Sequence, residues 1–83
     1  MSQSKTVWLN GCYDLLTPAH IELFSVARLL AGTEGRVCVG LDSDAKVRNS
    51  KGESRPINSF VDRKIMLESI RYIDLVLGFD DRD

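Results

Sequence analysis

Eighty-three residues make a single small domain, below the commonest domain size of about 100–150 residues. With 43% hydrophobic and 28% charged residues and only two prolines, the composition excludes disordered, collagen-like and low-complexity chains. Eleven cations against twelve anions leave a net charge of −1, so no global field draws in nucleic acid or a membrane surface.

The opening Met1-Ser2-Gln3-Ser4-Lys5 lacks the apolar run of a signal peptide, and no stretch approaches a membrane span. Thr6-Val7-Trp8-Leu9, closed by Asn10-Gly11, reads as a strand buried on both faces, as parallel sheets require. Thr17-Pro18 is a helix start, with threonine at the N-cap and proline at the first helical position. That helix is predicted to reach Ala31, with Leu23, Phe24, Val26, Ala27 and Leu30 on its buried face. Arg36–Leu41 is the second strand. Residues 42–49 allow a short helix, followed by a polar loop with a turn at Lys51-Gly52. Ser59-Phe60-Val61-Asp62 resembles a capping box, opening a helix from Phe60 to Tyr72 with Ile65, Met66, Ile70 and Ile73 inward. Asp74–Gly78 is the third strand.

The succession strand, helix, strand, helix, strand is half of a doubly wound α/β fold with right-handed crossovers. Cys12 and Cys38 are too few for a disulfide scaffold or a four-thiolate zinc site, so a reducing cytoplasmic setting is expected. In the strand order 3-2-1 the first strand is a sheet edge, and Thr6–Leu9 carries neither charge nor proline to protect it. Two expectations follow. The chain is a single domain, residues 1–83, that lacks further strands, and it self-associates through that edge as a homodimer.

Chemistry concentrates in Asn10-Gly11-Cys12-Tyr13-Asp14-Leu15-Leu16-Thr17-Pro18-Ala19-His20. A strand end, a glycine turn and a helix start present free amides and a positive dipole end, which suit phosphate oxygens. On the helical wheel His20 falls near Phe24 and Ala27, toward the strand ends. A packed histidine satisfied by a carbonyl fits this placement equally well, and Thr17 is equally a plain N-cap. Arg63 lies in the first turn of its helix, where a cation opposes the dipole by a few tenths of a kcal/mol. Such a placement suits an anion ligand, with a surface position as the alternative. Cys12 has no base partner, since the one histidine is eight residues away, and Cys38 reads as core.

This segment resembles the nucleotidyltransferase superfamily, whose signature is His-X-Gly-His, or Thr-X-Gly-His in one branch. Gly11-Cys12-Tyr13-Asp14-Leu15-Leu16-Thr17-Pro18-Ala19-His20 stands at the family spacing, with Thr17 for the first histidine and Ala19 for the glycine. Leu41 to Arg48, Lys51-Gly52 and Arg55-Pro56-Ile57-Asn58 are similar to the corresponding stretch of heptose-phosphate adenylyltransferases. Arg63 to Asp74 is similar to the helix and strand found there and in glycerol-3-phosphate cytidylyltransferase. The family's later Ser/Thr-rich phosphate segment has no counterpart in this chain.

The resemblance implies a Rossmann-like nucleotide-binding fold of the HUP type. It also implies transfer of AMP or CMP from ATP or CTP to a phosphorylated sugar or polyol, with magnesium accompanying the triphosphate. His20, Thr17 and Lys51 would be catalytic, and Gly11, Cys12 and Tyr13 would line the nucleotide site with Thr17 and His20. Asp14, Arg48, Lys51 and Arg63 would meet the acceptor, while Lys46 stays a surface cation. A catalytically incomplete nucleotide-binding or assembly module of the same fold is the competing expectation, supported by Ala19 and the missing segment.

Overall fold

The computed structural model describes residues 5–79, and its elements follow the order read from the sequence. Strand β1 is Thr6–Gly11, helix α1 Pro18–Ala31 and strand β2 Arg36–Asp42. Helix α2 spans Asp44–Lys51, helix α3 Phe60–Glu68 and strand β3 Leu75–Phe79. The three strands form one parallel sheet in the order β1-β2-β3, so β1 is an edge as expected.

The register explains which residues make the core. Val7 lies beside Val37, Leu9 beside Val39, and Val39 beside Val76. Strand side chains alternate, so these rows share one face, where Phe24, Ala27 and Ala31 of α1 and Leu67 of α3 pack on them. Both long helices therefore cover the same side. On the opposite face Trp8, Cys38 and Leu75 form one row, and Asn10, Gly40 and Leu77 the next. Trp8 is 53% exposed, and Leu75, Leu77 and Phe79 are exposed as well.

Short polar groups start the two later helices. The Ser43 hydroxyl accepts the Lys46 amide at 3.1 Å, and the Ser59 hydroxyl accepts the Asp62 amide at 3.2 Å. At the end of α1, Arg28 donates to the carbonyls of Gly32 and Gly35 at 2.9 and 2.6 Å and to Asp74 at 2.8 Å. Asp74 also accepts the Val37 amide at 2.7 Å. That amide, with Arg28 behind it, holds the Asp74 carboxyl below its usual range.

Several expectations need correction. Strand β1, expected to be buried on both faces, leaves Trp8 exposed because no helix among the described residues covers that side. Helix α3 ends at Glu68 rather than Tyr72, because the chain must turn to bring Asp74 to Val37, where its own amide donates to the Val37 carbonyl at 2.8 Å. Of the residues expected inward, Ile73 is buried and Ile70 packs against the core, in the turn after α3, but Ile65 and Met66 do not. Arg63 and Leu67, four apart, are fully buried, whereas Ile65 is 56% exposed and Met66 is exposed too. In α1, likewise, Leu23, Val26 and Leu30 are exposed beside buried Phe24 and Ala27. A three-stranded sheet is narrower than the apolar arcs that the two helices carry. Leu67→Ala is expected to lower stability by about 2–5 kcal/mol. Ile65→Ala should change it by roughly 0.5 kcal/mol or less; urea denaturation of the two variants measures the contrast.

Candidate active site

The carboxyl ends of β1 and β2 and the amino end of α1 meet at the segment 10–20. Gly11 ends β1 at the point where a side chain would press on the Tyr13 ring, with ring carbons 3.0 Å from the place of a β-carbon. Tyr13 itself adopts φ 44°, a left-handed conformation that costs a non-glycine residue roughly 1–2 kcal/mol. The strain is held by packing. Its ring is buried, set edge-on to His20 at 5.6 Å and tilted on Phe24 at 5.4 Å. Burial, and then the Asp42 carboxylate, push the Tyr13 phenol above its usual range.

His20 occupies the third helical position, where glutamate or glutamine commonly closes a capping box. Its Nδ1 accepts the Thr17 amide at 3.0 Å, and the Thr17 hydroxyl lies 3.2 Å from the same nitrogen. An Nδ1 that accepts an amide proton carries none itself, so the neutral ring must be protonated at Nε2. The cap thus leaves one N–H donor on the ring, half-buried beside the turn. Thr17 and Ala19 are exposed, so the Ala19 methyl crowds no protein group.

Asp14 points inward from the turn and is fully buried. Its carboxylate accepts Arg55 Nε at 2.7 Å and the amides of Ile57 and Asn58 at 2.8 and 2.9 Å. The Asn58 side-chain amide donates to the Asp14 carbonyl at 2.8 Å. Burial alone would raise this carboxyl; the Asn58 and Ile57 amides and Arg55 outweigh it and hold the group at about 2.

Arg63 is the second buried centre. It donates to the carbonyls of Asn58 at 3.0 Å, Cys12 at 2.8 Å and Asp42 at 2.9 Å, and to the Asp44 carboxylate at 2.7 Å. This corrects the expected acceptor contact, because four of the five guanidinium donors serve protein oxygens and the side chain is fully buried. Asp14 is corrected in the same way: its oxygens face Arg55 and two amides rather than a ligand.

The site therefore brings together Gly11, Cys12, Tyr13, Thr17 and His20. Cys12 is a half-buried free thiol whose carbonyl belongs to Arg63. Arg48 and Lys51 lie exposed in the last turns of α2, and among the described residues no ion pair or hydrogen bond links their side chains to the turn. Lys46 stands with its ammonium 4.6 Å from the Phe79 ring centre. Local pattern could not reveal the bonds of Asp14 to residues 55–58 or of Arg63 to Cys12, since each joins segments more than 40 positions apart.

A groove of about 630 Å³ opens beside the first turns of α1, lined by Leu16, Thr17, Pro18, Ile21, Glu22 and Tyr72 among others. His20 does not line it. The groove meets the turn at Thr17, while the phosphate-facing chemistry is assigned to the turn, where His20 and the helix amino end lie.

Residues 8–83 match the cytidylyltransferase-like family model. The chain belongs to that family. It is 43% identical over 79 residues to the bifunctional protein HldE of Campylobacter curvus, covering 95% of this chain and 16% of that protein. The HldE proteins of Marinomonas sp. and Wolinella succinogenes are 41% and 42% identical over 81 and 77 residues, covering 98% and 93% of this chain. The chain spans about 16% of the length of these relatives. A lipopolysaccharide core biosynthesis protein from Thermoplasma volcanium superposes with TM-score 0.81 at 19% identity. That match covers 96% of this chain and 61% of the other, and supports the Rossmann-like α/β fold. The expected resemblance to the cytidylyltransferase-like family is thus met.

Asp14→Asn is expected to lose about 1–3 kcal/mol at neutral pH, because two amides and Arg55 then face an uncharged group. The folded-state value near 2 lies below the unfolded value, so this stability is complete above about pH 4 and fades as pH falls through 2. Denaturation at pH 7 and pH 2.5 should accordingly show a wide gap between wild type and variant that narrows in acid.

Proposed function

We propose that this domain transfers a nucleoside monophosphate, AMP or CMP, from its triphosphate to a phosphorylated sugar or polyol, releasing pyrophosphate. The observation that carries the reading is the His20 ring, held by its Nδ1 so that Nε2–H remains to donate at the amino end of α1. A phosphate oxygen of the acceptor attacks the α-phosphorus, the bond to the β-phosphate oxygen breaks, and pyrophosphate leaves. Charge accumulates on nonbridging and leaving oxygens, so positioned donors matter more than a covalent nucleophile.

In this reading His20 Nε2–H and the Thr17 hydroxyl meet the triphosphate, and the turn at Gly11, Cys12 and Tyr13 lines the nucleotide. Exposed Lys51 and Arg48 supply charge toward the acceptor. Among the described residues no group of three or more histidine, cysteine, aspartate or glutamate side chains is placed to hold a metal. Magnesium would travel on the triphosphate, coordinated by phosphate and water. ATP is preferred to CTP on the likeness of residues 41–58 to heptose-phosphate adenylyltransferases. Among the described residues no helix is long and apolar enough to cross a membrane, and the two free thiols suit a reducing cytoplasm.

A non-catalytic nucleotide-binding module is the second reading, supported by Ala19 in place of the family's glycine. Pyrophosphate release with magnesium, ATP or CTP, and heptose 1-phosphate or glycerol 3-phosphate separates the two. His20→Ala should reduce turnover by on the order of 10²–10³-fold and weaken triphosphate binding, whereas Lys46→Ala should leave binding close to wild type. Equal affinities in the two variants would remove His20 from its role.

Self-association through β1 belongs to the same proposal, supported by the edge position of β1 and by exposed Trp8. Sedimentation should reveal a dimer. The emission of Trp8, the single tryptophan, should shift to shorter wavelength as concentration rises. A monomer with constant emission at high concentration contradicts it.

A further inference from the structure

We propose that Arg55 is a phosphate-binding residue for the acceptor, aimed by the buried Asp14 carboxylate; this rests on the nucleotidyltransferase reading above. Arg55 reaches Asp14 through Nε alone, at 2.7 Å, and its side chain is 30% exposed. Among the described residues its two terminal nitrogens have no hydrogen-bond partner. Those nitrogens carry four N–H donors in one plane, the geometry that grips two oxygens of a phosphate.

Neutralising Asp14 does not by itself require this arrangement. The carboxylate already accepts the Ile57 and Asn58 amides, and a lysine would supply the remaining charge. An arginine held at Nε differs in one respect: the bond fixes the plane of the guanidinium while its two terminal nitrogens stay available to a ligand. Contrast Arg63, whose donors point into carbonyls and whose side chain is fully buried. Both arginines contact the same turn, Arg55 through Asp14 and Arg63 through the Cys12 carbonyl, but only Arg55 has donors left over.

The segment bearing it is fixed at both ends. Arg55 donates its amide to the Gly52 carbonyl at 3.1 Å, and Asn58 is bonded to Asp14 and Arg63. A preorganised donor loses little freedom when a ligand arrives, which favours binding over surface solvation. The anion suited to this fork is a phosphate monoester. Asp14 offsets the charge of Arg55, so affinity rests on directed hydrogen bonds rather than on a field. The fork therefore belongs to the acceptor's compact phosphate group, while the triphosphate lies over the turn and helix end.

Calorimetric titration of the wild-type chain with MgATP and, separately, with heptose 1-phosphate and glycerol 3-phosphate tests the assignment. Arg55→Ala is expected to weaken sugar- or polyol-phosphate binding about 10–100-fold, the loss of one or two charged hydrogen bonds. MgATP affinity should stay within about twofold. Should Arg55→Ala fail to fold, Arg55→Lys keeps a cation near Asp14 but loses the fork, and should still weaken acceptor binding while leaving MgATP unchanged. Unaltered acceptor affinity in a folded variant overturns the role of Arg55 alone. Equal losses for acceptor and MgATP also overturn it, since the residue would then serve the nucleotide. A wild-type chain that binds neither ligand would sink the nucleotidyltransferase reading and this assignment with it.

Discussion

A guanidinium with no exposed surface, on the first turns of α3, joins three separate pieces of chain to its own helix. Arg63 gathers the Cys12 carbonyl after β1, the Asp42 carbonyl at the end of β2, Asp44 at the start of α2 and the Asn58 carbonyl before its own helix. Removing a cation from water costs several kcal/mol, and only close, well-aligned oxygens offset it. Those oxygens converge only when all three segments are in place. The interaction therefore adds less to raw stability than it does to selecting one arrangement of the loops.

Asp14 does the same with opposite charge. A carboxylate in the middle of the turn collects two amides and an arginine from residues 55–58. Tyr13, next to it, is left in a strained conformation that its ring packing sustains. The edge of that ring meets His20, whose Nδ1 is in turn fixed by Thr17. Anchor, strained residue and oriented imidazole follow one another along a few positions of chain. Where catalysis consists of placing donors around phosphate oxygens, rigidity of this kind does much of the chemistry in advance.

The sheet is one-sided by comparison. Helices α1 and α3 both pack on the face of Val7, Val39 and Val76, leaving Trp8, Leu75 and Leu77 exposed on the other. Apolar arcs on both helices are wider than the sheet beneath them. The 0.81 superposition over 96% of this chain shows that β1, α1 and the turn between them belong to the shared fold. What positions His20 lies within β1, α1 and the two buried charges.

The order of strands and helices, the helix start at Thr17-Pro18 and the place of His20 near the strand ends were legible from residue pattern alone. Each depends on neighbours within a turn or two, where propensity, capping and periodicity act. The spacing of Gly11 to His20 likewise pointed to the family. Tertiary structure decided what local pattern cannot reach. Ile65 and Met66 match the helical period of a buried arc, yet the position of β3 turns Leu67 and Arg63 inward instead. Arg63 and Arg55 are both cations in polar surroundings along the chain. One becomes an internal clamp and the other keeps a free fork, because hydrogen-bond partners more than 40 residues away choose between them.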